Sequence, residues 1–293
     1  MAVIAWSLLS AIMFAGTFLL IKLGQRNAST LTSLWLTLSV NVVVLWSWSL
    51  CTQRPSIGDW WDWRHFALAG FFAPLLGRLC QFVGLTHLGV NITTPITLTH
   101  PLVTVLIAVL LLGETMTLAT LIGGILVLLG SLLIGTQGLS LRGTGAALAT
   151  GSRRYLLFPV GASLAYGISM VFRKMGIDLG TDPVTASAVT TFSSWVLVSL
   201  YVLLSGRAGT IRCSKSEAGY LTAAGILSSL GPVFFYLALQ RGELIVVAPL
   251  AATTPLFVIL ATWLISRKGE LFNRSVVIGT LFTVLGVNVM TVF

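Results

Sequence analysis

The sequence predicts an all-α polytopic membrane protein of ten transmembrane helices, arranged as two inverted five-helix repeats. Hydrophobic residues make up 56% of the 293 positions and charged residues 9%. The mean hydropathy is +0.97, more apolar surface than a water-soluble core of this length can hide. The apolar residues fall in runs of about 20, the length a helix needs to cross roughly 30 Å of hydrocarbon. The second half of the chain also repeats the first.

Runs bounded by charge, Gly, Asn and Ser place spans at 3–23, 31–51, 66–86, 92–112 and 117–135, then at 155–175, 184–204, 217–239, 244–265 and 275–293. The first lacks a basic leader and a small-residue cleavage site and reads as a retained helix. The net charge of +9 comes from Lys and Arg scattered over short loops. Without a basic face, it points to lipid headgroups and topology, not nucleic acid. Cys51, Cys80 and Cys213 lie far apart, with neither metal-ligand spacing nor the even count of a disulfide framework. No cofactor or metal is implied. Trp46, Trp48, Trp60, Trp61 and Trp63 gather around the second loop, as an interfacial belt does.

Sliding the chain against itself exposes the repeat. Pro95 and Pro101 meet Pro249 and Pro255 at a shift of 154, as Gly77 and Leu85 meet Gly231 and Leu239. Lys22 and Gly24 meet Lys174 and Gly176 at 152, while Gly113, Glu114, Gly123 and Gly130 meet Gly269, Glu270, Gly279 and Gly286 at 156. The predicted organisation is a first repeat at 1–137, a connecting loop at 138–154 and a second repeat at 155–293. Because five is odd, the second copy enters the membrane in the opposite sense, the architecture of alternating-access carriers.

The turn Leu112-Gly113-Glu114-Thr115-Met116-Thr117, the stretch from Pro249-Leu250 to Pro255-Leu256-Phe257, and the Gly-punctuated fifth and tenth spans resemble the EamA-type branch of the drug/metabolite transporter superfamily. The resemblance covers nearly the whole chain. It implies a membrane transporter, not an enzyme, in which helices one to four and six to nine surround a central cavity while five and ten stand aside. It further implies export or exchange of metabolites such as amino acids, in the bacterial inner membrane. A multidrug exporter of the same superfamily is the alternative. Monomer and dimer both stay open. Loop charge disagrees with the resemblance on orientation. With the amino terminus inside, five Lys and Arg lie inside and eleven outside, whereas the resemblance puts both termini in the cytoplasm, and the reading follows it.

Solute chemistry is read from the polar residues inside spans. All eight acidic residues lie in loops or at span ends, which disfavours a drug-cation/proton antiporter built on an intramembrane carboxylate and favours zwitterionic or anionic solutes. Arg78 is the one charge deep in a span. A guanidinium there is costly unless it faces a cavity or a polar partner, and its donor fork suits a carboxylate or phosphate. Gln81 and Phe82 follow it by three and four residues, on the same helical face.

Thr99 and His100 precede Pro101 and map onto Thr253 and Thr254 before Pro255. Proline-broken helices leave backbone carbonyls free beside such side chains, suggesting a midplane binding shelf. Phe14 maps onto Tyr166 and Phe82 onto Tyr236, aromatic pairs able to grip an apolar moiety or simply to pack. Lys22 and Lys174 at matching helix ends read as snorkelling to headgroups, and the glycines at 123, 130, 279 and 286 as close helix contacts within or between chains.

Overall fold

The computed structural model describes residues 2–25, 28–52, 61–88, 93, 96–135, 152–266 and 274–292, and among them every regular element is helical. Among the described residues six helices are long and apolar enough to cross a membrane, and shorter apolar helices occupy His100–Leu112, Leu118–Ile134 and Val277–Val289. The chain is a polytopic integral membrane protein. In chain order the helices are α1 (Ala2–Gly24), α2 (Thr30–Thr52), α3a (Trp63–Gly70), α3b (Gly77–Leu88), α4 (His100–Ile107), α5 (Leu118–Gly135), α6 (Leu157–Asp178), α7 (Pro183–Leu204), α8 (Lys215–Leu239), α9a (Leu244–Ala251), α9b (Thr254–Ser266) and α10 (Arg274–Val292). Large apolar side chains such as Val43, Leu106, Leu110, Leu111 and Leu204 are exposed, as suits a body solvated by hydrocarbon.

Three spans are interrupted, and in each a proline accounts for the break. Between α3a and α3b the wide π-helical segment Phe71–Leu76 contains Pro74, whose missing N–H and bulky ring are absorbed by the extra residue in the turn. The other two breaks match bond for bond at the repeat shift of 154. Before Pro101, Thr99 N donates to Ile96 O (3.2 Å), Thr99 Oγ1 to the same carbonyl (2.6 Å), and Leu102 N to Thr99 O (2.9 Å). Before Pro255, Thr253 N donates to Leu250 O (3.2 Å), Thr253 Oγ1 to the same carbonyl (2.8 Å), and Leu256 N to Thr253 O (2.9 Å). The carbonyls that Pro101 and Pro255 leave without their i→i−4 donor are Thr97 O and Ala251 O, and the side chain before each proline meets them, His100 Nδ1 at 3.1 Å and Thr254 Oγ1 at 2.9 Å, a requirement where no water is at hand.

The chain forms two compact units, each drawing on both halves of the sequence. Unit I holds residues 2–71 and 172–241; unit II holds 72–171 and 242–293. Within unit I, α1 lies along α8, with the Phe14 ring over Gly231 (3.1 Å from where a Cβ would sit) and Ser10 Oγ donating to Gly231 O at 2.8 Å. Helices α2 and α7 cross antiparallel through reciprocal bonds: Trp35 Nε1 donates to Ser199 Oγ (3.0 Å) and Trp195 Nε1 to Ser39 Oγ (2.8 Å). Leu45, Val184, Ala188 and Val233 form the buried centre beneath Trp46 and Leu237. On α2 the Asn41 amide sits 2.8 Å from Ser228 Oγ and 3.1 Å from Ser229 Oγ of α8, so its polar group has partners inside the bilayer.

In unit II, α5 and α10 also cross antiparallel, backbone to backbone. A Cβ at Gly130 would collide with Gly279 O and Thr283, and one at Gly286 with Gly123 O and Val127. The glycines predicted to permit close approach do so here within one chain. Gly113 ends the π-helical segment Ala108–Leu112 in the left-handed region (φ 66°), where a side chain would be strained. The turn aims Glu114 at the start of α9a, where its two carboxylate oxygens accept from Leu244 N and Ile245 N, each at 2.8 Å. That is an N-cap supplied by a distant residue, favoured by the helix dipole. Glu270, its repeat counterpart, and Pro95 lie outside the described residues, as do positions 53–60 and 136–151 of the predicted loops.

Two stability measurements follow from these contacts. Gly130→Ala lowers stability by about 1–3 kcal/mol, seen as a lower thermal midpoint in detergent. Gly219→Ala, which meets nothing within 4 Å, leaves it unchanged or higher. Glu114→Ala costs about 1–2 kcal/mol and Glu114→Gln, which keeps an acceptor, costs less; equal melting of all three proteins would mean the cap is not stabilising.

Candidate functional site

Unit II gathers most of the polar residues expected to meet solute. Arg78 is the second residue of α3b and is half-buried. Just before it, Gly77 makes room for the Tyr166 ring of α6, which would lie 2.7 Å from any Cβ there. Tyr166 Oη donates to Gln81 Oε1 at 2.9 Å, and the Arg78 guanidinium is the charged neighbour of that hydroxyl. His100, at the start of α4, meets the Tyr166 ring edge-on, with centroids 5.7 Å apart. His100 Nδ1 lies 3.1 Å from Thr97 O. A carbonyl only accepts, so Nδ1 carries the proton of this bond and the neutral ring keeps Nε2 as an acceptor.

Thr99 Oγ1 lies 3.1 Å from Ser163 Oγ of α6. Ser163 was not singled out by the sequence reading, although it stands three residues before Tyr166 and so on the same helical face. Arg78, Gln81, His100, Thr99 and Tyr166 are therefore one neighbourhood: a cation, an amide, an imidazole and hydroxyls carried on α3b, α4 and α6.

The remaining predicted residues stand elsewhere. Thr253 and Thr254 belong to unit II but turn their hydroxyls to Leu250 O (2.8 Å) and Ala251 O (2.9 Å) of their own helix. Phe14 and Tyr236 belong to unit I. Tyr236 is fully buried, its Oη 2.8 Å from Thr190 Oγ1 and its ring edge-on to Phe66 at 5.6 Å. The backbone of Phe82 lies in α3b, while its side chain is outside the described ones.

The repeat makes the chemistry of the cluster plain by contrast. Phe14 on Gly231 in unit I is the counterpart of Tyr166 on Gly77 in unit II, and Pro232 and Phe235 stand where Arg78 and Gln81 stand. One aromatic-over-glycine contact is polar in one copy and apolar in the other.

Acidic groups near helix ends are committed to structure. Glu114 caps α9a, Asp182 accepts from Val184 N and Thr185 N at the start of α7, and Glu217 closes a capping box with Ser214 on α8. Lys174, expected to reach headgroups, instead binds Asp178 (2.8 Å) and Leu239 O (3.0 Å). Among the described residues no carboxylate pairs with Arg78, and no three His, Cys, Asp or Glu residues gather as metal ligands.

Comparison with known proteins agrees with this architecture. One solved crystal structure is similar over 98% of this chain and 97% of its own at 18% sequence identity, with a TM-score of 0.78, a likeness of fold alone. No curated protein matches significantly. A model described as the EamA-like transporter family matches twice, over residues 1–136 and 153–292. Two consecutive matches that together span nearly every residue leave a plain conclusion: the chain belongs to the EamA-like transporter family, a group of membrane transporters within the drug/metabolite transporter superfamily.

Proposed function

We propose that this transporter carries small zwitterionic or anionic metabolites such as amino acids, exporting or exchanging them across the bacterial cytoplasmic membrane. The observation that carries the reading is Arg78: a guanidinium within a span, beside a neutral tyrosine hydroxyl and, among the described residues, lacking any counter-carboxylate. Tyr166 uses a single donor on Gln81 and leaves most of the guanidinium fork for a ligand. A solute carboxylate supplies the missing charge. His100 Nε2 and the Gln81 amide are polar groups able to orient what that carboxylate belongs to. Thr99, Thr253, Thr254, Phe82 and Tyr166 complete the proposed set of solute contacts in unit II.

Transport in this reading is alternating access by ten spans in two inverted repeats, 1–137 and 155–293, joined by 138–154. Support comes from corresponding helices that pack against each other. α2 and α7 run antiparallel, joined by the Trp35–Ser199 and Trp195–Ser39 bonds. On α5 and α10, Gly123 against Gly286 becomes Gly279 against Gly130. Both pairs run antiparallel, the relation expected of copies turned upside down about an in-plane axis. Both termini then share one side, taken to be the cytoplasm.

In proteoliposomes, Arg78→Ala abolishes uptake of a panel of labelled amino acids, and Arg78→Lys reduces it by at least about tenfold through loss of the planar fork. Tyr166→Phe, which keeps the ring over Gly77, inserts normally and transports more slowly. Undiminished uptake by correctly inserted Arg78→Ala, or uptake of lipophilic cations alone, would sink the assignment. A carboxy-terminal reporter that matures only in the cytoplasm should be active in cells; silence there would reverse the orientation.

A further inference from the structure

A second guanidinium, Arg173, has no role in the site above. It lies on α6 five residues before the end of the helix at Asp178, in unit I. Its guanidinium sits over the ring of Tyr236, 5.8 Å from the centroid. That ring is held by Thr190 at its hydroxyl and by Phe66 at its edge, and it is fully buried. Cation–π attraction offsets part of the cost of the charge, whereas the five N–H donors of a guanidinium still call for acceptors. The Nε–H of Arg173 is enclosed and meets no acceptor. No carboxylate pairs with Arg173 among the described residues, because its neighbour Lys174 takes Asp178 and Leu239 O. A buried donor on a charged group without an acceptor is costly unless something else provides one.

We propose that Arg173, set over the Tyr236 ring, is a second anion-binding residue, one that takes a carboxylate or phosphate oxygen on its unmet guanidinium donors. A ring fixed by Thr190 and Phe66 gives the guanidinium a rigid neighbour, and its planar fork suits an oxyanion. The anion is either free in solution or part of a lipid headgroup, since both present the same oxygens. The proposal does not rest on Arg78, and its test is run with that residue removed.

The test uses the full chain carrying Arg78→Ala, purified in a neutral maltoside detergent. Succinate and inorganic phosphate are titrated while the thermal midpoint is followed, with Arg173→Lys and Arg173→Gln added in turn. In parallel, the same proteins in nanodiscs of phosphatidylcholine, with and without phosphatidylglycerol, are examined by native mass spectrometry for retained lipid.

A saturable rise in midpoint that Arg173→Lys weakens by roughly tenfold and Arg173→Gln removes supports a free anion. Loss of one retained phosphatidylglycerol in Arg173→Gln, with no response to the small anions, supports a headgroup. Arg173→Lys keeps the charge and the stem, and its unliganded midpoint reports whether the fold is intact. If Arg173→Gln matches its parent in both arms, or the parent binds neither probe, the proposal is overturned, whatever Arg78 proves to do in transport.

Discussion

Inside hydrocarbon no water is available to satisfy a polar group, and that single constraint organises the protein. Helices answer it for the backbone. Side chains answer it by bonding back to their own helix: Ser7 to Val3 O, Thr17 to Met13 O, Thr37 to Ser33 O, Ser187 to Pro183 O and Thr190 to Ala186 O. Where prolines break the ladder, His100 and Thr254 meet the carbonyls left without a backbone donor, Thr97 O and Ala251 O. Carboxylates end as caps on Leu244, Val184 or Ser214. Trp46 Nε1, Thr93 Oγ1, Ser131 Oγ and Arg173 Nε stay buried without a partner, and among the charged groups Arg78, within a span, and Arg173, with its enclosed Nε–H, are where ligand chemistry is to be sought.

Duplication supplies the scaffold and divergence supplies the chemistry. A ring resting on a glycine appears twice, as Tyr166 over Gly77 and as Phe14 over Gly231. The backbone demand, a glycine beneath an aromatic, is met in both copies. What differs is polar: one ring carries a hydroxyl bonded to Gln81, beside Arg78, and the other is a phenyl over a glycine followed by Pro232 and Phe235, where Arg78 and Gln81 stand in the first repeat. A repeat can keep its packing while one copy acquires charge, because the contact depends on shape and the solute depends on donors.

Most of the fold was legible in hydropathy alone, because a span has to be both long and apolar. Arg78 was legible because charge in such a run is rare, and Gln81 because helical spacing puts it on the same face. Tyr166 emerged only by mapping Phe14 through the repeat. The rest was hidden for definite reasons. The π-helical turn at Phe71–Leu76 leaves the hydropathy pattern unchanged. Glu114 finds its partners 130 residues away, so nothing local announces a cap. Ser163 is one hydroxyl among many, singled out only by its contact with Thr99. Arg173 was counted with loop charge because the apolar run fades at 175, whereas the helix continues to Asp178.

The two arginines also differ in what holds them, and that bears on how each would treat a ligand. Arg78 adjoins a hydroxyl that already donates to Gln81, so an arriving carboxylate can join an existing polar network and leave it without stranding a donor. Reversible occupancy is what a carrier needs at its centre, since a solute bound too tightly is not released. Arg173 sits over an aromatic ring with its Nε–H enclosed and unmet. Departure of an anion from it leaves a buried donor bare, which favours long residence over turnover. The same side chain therefore suits a passing solute in one unit and a resident oxyanion in the other, and the difference lies in the hydroxyl beside Arg78 and the ring beneath Arg173.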